Sequence, residues 1–202
     1  FATLGVPAAR LRVAGNLKFE RSASPGVRAS GAALRARYAA GRPLWVAGST
    51  HPGEEQAALT AHAAVRARWP AALLVLAPRH RPRFEAVAAL LAHSGVRWLR
   101  HSAVTADPVG QAAAAAAVDV LLLDTIGELE NFYAAADVAF VGGSLAPIGG
   151  HNLLEPAALG VATLAGPSQG NAPDIARALE DNAGLRIVYD AAGLGDAVLA
   201  LL

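Results

Sequence analysis

"LLLDTIGELENFYAAADVAFVGGSLAPIGGHNLLEPAALG", Leu121 to Gly160, contains two apolar runs, each followed by a polar, glycine-bearing turn and then a helical pattern. The runs, extended as "VDVLLLD" (118–124) and "VAFVGG" (138–143), are continuous in Val, Leu and Ala rather than alternating. That is the pattern of strands buried on both faces of a parallel sheet. Parallel neighbours need a crossover, and the stretch 127–136 between them has the length and pattern of a crossover helix. The same alternation extends in both directions. Further strands are predicted at 12–19, 44–50, 72–78, 96–100, 161–166 and 186–190, with helices near 26–40, 53–69, 81–94, 152–160, 171–182 and 191–202. The fold class is therefore α/β, a doubly wound, mainly parallel sheet. No Pro/Ser-rich linker divides the chain, so residues 1–202 are expected to form one domain.

Composition narrows the function classes. The 202 residues are 54% hydrophobic and 16% charged, a globular balance. The net charge of +1 offers no field of one sign for nucleic acid or a polybasic membrane surface. Without cysteine there is no disulfide, thiol nucleophile or thiolate metal site in this chain. No run of eighteen apolar residues is free of charge or glycine. The alanine run 111–118 is low-complexity, a connector or short helix. The chain starts at Phe1, has no methionine and stops at Leu202 inside a helical pattern, so a piece of a longer polypeptide is expected.

In an open parallel sheet, ligands bind beyond the carboxyl ends of the strands. Five loops fall there. In "AGSTHPGEE" (47–55), Ser49 or Thr50 can cap the following helix, or these hydroxyls, with His51, can meet an anion. In "APRHRPRF" (77–84), Arg79 after Pro78 is either a solvated surface cation or a clamp for phosphate. In "LDTIGELENFYAAAD" (123–137), Thr125 and Glu128 fit a capping box, while the backbone at Ile126-Gly127 would let a flat base approach. Around "GGSLAPIGGHNLLEP", Gly142, Gly143, Gly149 and Gly150 precede His151, Asn152 and Glu155 at a helix start. That arrangement suits a nest of N–H groups for phosphate, with Glu155 accepting from a ribose diol. In "GPSQGNAPDI" (166–175), Asn171 or Asp174 can cap a further helix. His62, His93 and His101 have no spaced partners and are expected at the surface, and no metal-ligand spacing is present.

"VAGNLKF", "WVAGSTHPGEE", "LAPRHRPRF", the Leu121–Gly160 stretch and "GPSQGN" occur in this order. Together they resemble the C-terminal half of 3-deoxy-D-manno-octulosonic acid (Kdo) transferases, over nearly the whole chain. The resemblance implies the Rossmann-like, donor-binding C-terminal domain of a GT-B glycosyltransferase, which moves Kdo from CMP-Kdo to a lipid A precursor in lipopolysaccharide biosynthesis. It implies inversion, no metal and no cofactor beyond the donor substrate. It also implies a partner N-terminal domain in the same polypeptide that supplies the general base and the attachment to the cytoplasmic face of the inner membrane. By motif, Pro78 and Arg79 would contact the CMP, Ile126, Gly127 and Glu128 would border the cytidine, and Asn152, Leu153, Leu154 and Glu155 would hold ribose and phosphate. Ser49, Thr50 and His51 would face the Kdo or phosphate end, with Gly149 and Gly150 beside it. No catalytic base is assigned within this chain, and "NAPDI" departs from the aromatic-containing family loop. The rivals are a GT-B enzyme with a UDP or GDP donor, a sugar-nucleotide 2-epimerase, and a nucleotide-binding module without catalysis.

Overall fold

The computed structural model describes residues 3, 5–10 and 24–202; the strand predicted at 12–19 lies outside the described residues. The described strands are Leu44–Thr50 (β1), Leu73–Pro78 (β2), Trp98–Arg100 (β3), Val120–Leu122 (β4), Val138–Val141 (β5), Ala162–Ala165 (β6) and Leu185–Ile187 (β7). They form one sheet in the order β3-β4-β2-β1-β5-β6-β7, with every neighbouring pair parallel. The helices are Pro25–Ala39 (α1), Glu54–Arg68 (α2), Phe84–His93 (α3), His101–Ala106 (α4), Ala112–Ala117 (α5), Leu129–Ala135 (α6), Leu154–Ala157 (α7), Pro173–Asp181 (α8) and Ala191–Leu201 (α9).

Successive strand residues point to opposite faces, and both faces are covered. Leu44, Val46, Leu73 and Val75 pack against Tyr38 of α1, Phe132 and Tyr133 of α6, and Ile175 of α8. Trp45, Ala47, Leu74 and Leu76 pack against Leu59 and Val65 of α2, Leu91 of α3, and Leu194 and Val198 of α9. Each such fully buried side chain contributes about 1.5–3 kcal/mol. Burial on both faces is why the strands are continuous apolar runs rather than alternating ones.

Helix ends follow local chemistry where a cap is nearby. Ser24 accepts from the Val27 N–H at 3.3 Å ahead of Pro25, and Asp190 accepts from Gly193 at 2.7 Å to open α9. One helix was not anticipated, and two expected ones differ. Helix α4 starts directly after β3 because a distant carboxylate, Asp124, accepts from the Ser102 N–H (2.9 Å) and hydroxyl (2.6 Å). The segment expected as a helix over 81–94 opens with a 3-10 turn, Arg81–Arg83, around Pro82. The helix expected over 152–160 contracts to α7, since Asn152 uses its side-chain oxygen to hold the Leu154 N–H at 3.2 Å.

Strand β1 lies between β2 and β5. The chain leaves β1 toward one side of the sheet and later places β5 on the other. The loops after β1 and β5 therefore part from each other, which opens a crevice at their carboxyl ends.

Candidate functional site

That crevice is a cleft of about 290 Å³ lined by Ser49, Arg79, Gly127, Glu130, Tyr133, His151, Asn152 and Glu155 among others. A smaller recess of about 100 Å³ adjoins it over Pro78, Leu123, Thr125 and Ile126, with Ser49, Arg79 and Gly127 shared. A third chamber of about 210 Å³ shares His151 and Asn152 and runs toward Asn171.

Ser49 occupies an irregular step where the β1–β2 register shifts between Gly48 and Thr50. Its φ of 55° is one of two positive values at non-glycine positions among the described residues. Such strain concentrates at functional sites. Arg79 is anchored by its N–H to the Thr50 carbonyl at 3.0 Å, and its exposed guanidinium forms no hydrogen bond or ion pair among the described residues. Gly127 has φ +85° with open space where a side chain would stand. Asn152 donates to Glu155 at 3.2 Å, so the two groups expected on one face do meet. The N–H groups of Asn152 and Leu153 have no acceptor among the described residues. Tyr133 lies beneath the cleft with its hydroxyl against Gly48, and burial, then the charge of Glu155, raise its pKa, so it stays protonated.

The glycines serve a different purpose from the one expected. Glu54, at the first turn of α2 and buried, places its carboxylate among five backbone N–H groups: His51 (2.9 Å), Gly143 (2.7 Å), Ser144 (2.9 Å), Leu145 (2.9 Å) and Ala146 (3.2 Å). The nest after β5 is therefore filled from within the chain. A side chain at Gly142 would strike the Ser49 carbonyl and the Glu54 carboxylate. Gly149 donates to the Ser168 hydroxyl at 3.0 Å and Gly150 to the Gly143 carbonyl at 2.7 Å. These two glycines fit the 166–171 loop against the site, and their N–H groups are already used.

Other expectations need correction. Neither Ser49 nor Thr50 caps α2: Gly53 stands at the cap, and Thr50 is buried with its hydroxyl on Glu55 at 3.2 Å. Glu55 is held in turn by Arg83, through Nη2 at 3.0 Å and Nε at 3.3 Å. The Thr125–Glu128 capping box does not form; Glu128 stands at the α6 cap without capping it, its carboxylate 3.5 Å from His101 Nε2 instead, and the buried Thr125 hydroxyl has no partner among the described residues. Asn171 does not cap α8 but donates to the Ile148 (3.2 Å) and Gly150 (2.9 Å) carbonyls. His62 and His101 are core residues, each about 1% exposed, while His93 is at the surface as expected. His62 accepts from Trp45 at 3.0 Å and donates to the Asp119 carbonyl at 2.9 Å. Leu153 and Leu154 bury their side chains in the core and can offer a ligand backbone alone.

One group of cleft residues, and one contact between residues already named, escaped sequence reasoning. Leu129, Glu130 and Tyr133 come from α6, where the i, i+4 spacing of Leu129 and Tyr133 after a strand-end glycine was a usable signal. His51 and His151 meet at 2.8 Å between their Nε2 atoms, with His80 edge-on to His51 at 5.5 Å between ring centres. Burial lowers the pKa of both, His151 to about 4 with help from the adjacent Arg79 and His51. Nothing local in the sequence announces a contact across 100 positions.

No protein-family model matches the sequence. Among curated proteins, the chain is 38% identical over 203 residues to the 3-deoxy-D-manno-octulosonic acid transferase of Haemophilus influenzae, covering 100% of this chain and 46% of that protein. It is 41% identical over 185 residues to the enzyme of the same name from Bordetella pertussis, covering 86% of this chain and 40% of the relative. The chain thus spans less than half the length of these relatives. Among solved structures it resembles the C-terminal CMP-Kdo binding domain of WaaA from Acinetobacter baumannii, with a TM-score of 0.79 and 33% identity, over 88% of this chain and 90% of that one. Sequence and fold agree over most of both molecules: the chain belongs to the 3-deoxy-D-manno-octulosonic acid transferase family.

Proposed function

We propose that this chain is the donor-binding half of a Kdo transferase, which holds CMP-Kdo while the sugar passes to a lipid A precursor in lipopolysaccharide biosynthesis. The observation that carries the reading is the convergence of Arg79, Ser49, Gly127, Asn152 and Glu155 on one cleft at the point where β1 and β5 diverge. In this reading Arg79 and the N–H groups of Asn152 and Leu153 take the phosphate, Glu155 takes the ribose hydroxyls, and Ile126 and Gly127 border the base over Pro78. An acceptor hydroxyl attacks the anomeric carbon of Kdo from the opposite face, the C–O bond to phosphate breaks, and CMP leaves with the electron pair. The configuration inverts and the hydroxyl proton goes to a base in the N-terminal half. Arg79 stabilises the growing phosphate charge, and no metal is assigned a role. The full-length protein would work at the cytoplasmic face of the inner membrane, attached through that other half.

Titrating CMP, UMP and GDP against the chain by calorimetry and thermal unfolding tests the reading. CMP should bind and raise the unfolding midpoint, with UMP and GDP at least tenfold weaker. Preference for UMP or GDP would move the chain to another GT-B specificity. Failure of every nucleotide to bind would overturn the donor-binding reading.

A further inference from the structure

The His51–His151 contact is a hydrogen bond between two imidazoles rather than a face-to-face stack. The Nε2 atoms are 2.8 Å apart, the ring planes differ by 13°, and 5.0 Å between centres is what two rings give when their nitrogens meet head-on in nearly one plane. The backbone of His51 is held in place, its main-chain N–H donating to the Glu54 carboxylate at 2.9 Å. His151 is wedged against Gly143, where a side chain would come within 3 Å of the imidazole. The ring of His151 lines both the main cleft and the chamber running toward Asn171.

Proton counting limits what this pair can hold. One hydrogen must sit between the two Nε2 atoms, and a neutral pair carries one more on a single Nδ1. A third proton fits on the remaining Nδ1 without breaking the contact; a fourth would set two N–H groups against each other. The pair therefore has room for one added proton.

We propose that His51 and His151 form a single proton-holding pair facing the phosphate of the nucleotide, taking up one proton as the phosphate docks and holding it against the charge gained when the sugar leaves. This rests on the donor-binding reading above. When the bond from the anomeric carbon to the phosphate oxygen breaks, its electron pair stays on that oxygen and the diester monoanion becomes a monoester dianion. The acceptor's proton goes to the base outside this chain, and the pair's extra proton, drawn from solvent on binding, remains opposite the new charge. The charged groups around the pair are Arg79 and His80 after β2, Glu54 and Glu55 of α2, and Arg83; Glu130 of α6 and Glu155 of α7 line the same cleft. Burial, Arg79 and the second imidazole keep His151 neutral near pH 7, and an incoming anion reverses that balance.

The test is calorimetry of CMP binding to the chain at pH 7 in two buffers of different ionisation heat, with His151→Gln and His51→Gln alongside. The unsubstituted chain should take up protons that both variants do not. Its CMP affinity should rise as pH falls from 8 to 6.5, by at most about tenfold per unit for one linked proton, with a flatter profile in His151→Gln. If either variant does not fold, nitrogen-15 imidazole spectra of the unsubstituted chain serve instead. CMP should then move the His151 signals to the imidazolium range. Tight CMP binding with the same proton uptake in the variants, or with neutral imidazole shifts, overturns the pair and leaves donor binding standing. No CMP binding at all overturns both.

Discussion

At the scale of single residues, two acids each within hydrogen-bonding distance of backbone or side-chain partners have opposite duties. Glu54 is buried and saturated by five N–H groups, while Glu155 is half-buried on the cleft wall beside Asn152. Glu54→Gln turns an NH2 toward donors and should lower stability by roughly 2–4 kcal/mol in urea unfolding. Glu155→Ala should change stability by less than about 1 kcal/mol yet weaken CMP binding about tenfold, the loss of one hydrogen bond to a charged group. Equal loss of stability in both variants would make Glu155 a structural residue instead. The sequence marked Arg79 and Gly127 because each lies just past a strand end, and Glu155 because it sits three residues after Asn152 at a helix start, positions that chain order reveals. It did not reveal the role of Glu54, because its acceptor duties lie 89–92 positions away.

At the scale of elements, His62 ties α2 to the sheet. Trp45 on β1 can only donate and the Asp119 carbonyl can only accept, so the ring must carry its hydrogen on Nε2 and present a bare Nδ1. Protonation would set a second N–H against the indole. Burial accordingly lowers its pKa from the ordinary 6.5 to about 4. Between those values the unfolded chain binds a proton that the folded chain does not. The stability due to His62 is thus complete above about pH 6.5 and is lost as pH falls toward 4, by up to roughly 3 kcal/mol. Urea unfolding at pH 7.5 and 5 should show the fall, and His62→Gln should reduce it. His51, His101 and His151 shift in the same direction. Strands were legible because burial on both faces writes itself as unbroken apolar runs, as in 44–50 and 73–78. Helix starts were less so. The carboxylate that begins α4 is Asp124, 22 residues from Ser102, and the cap of α2 is a glycine with no side chain to recognise.

At the scale of the molecule, the cleft opens at the carboxyl ends of the central strands without a general base assigned to it, and the curated relatives extend well beyond the match. The 202-residue chain should bind CMP but form no Kdo-bearing lipid product by mass spectrometry; robust transfer by the chain alone would contradict the division of labour proposed above. The link between Glu54 and residues 143–146, and that between His51 and His151 across 100 positions, also bear on how the molecule is built in time. Contacts between such distant parts of a chain close slowly, after local helices and neighbouring strands have formed. The cleft should consequently be among the last features to appear during refolding, so recovery of CMP binding in a refolding time course should follow the completion of the sheet and not the collapse that precedes it.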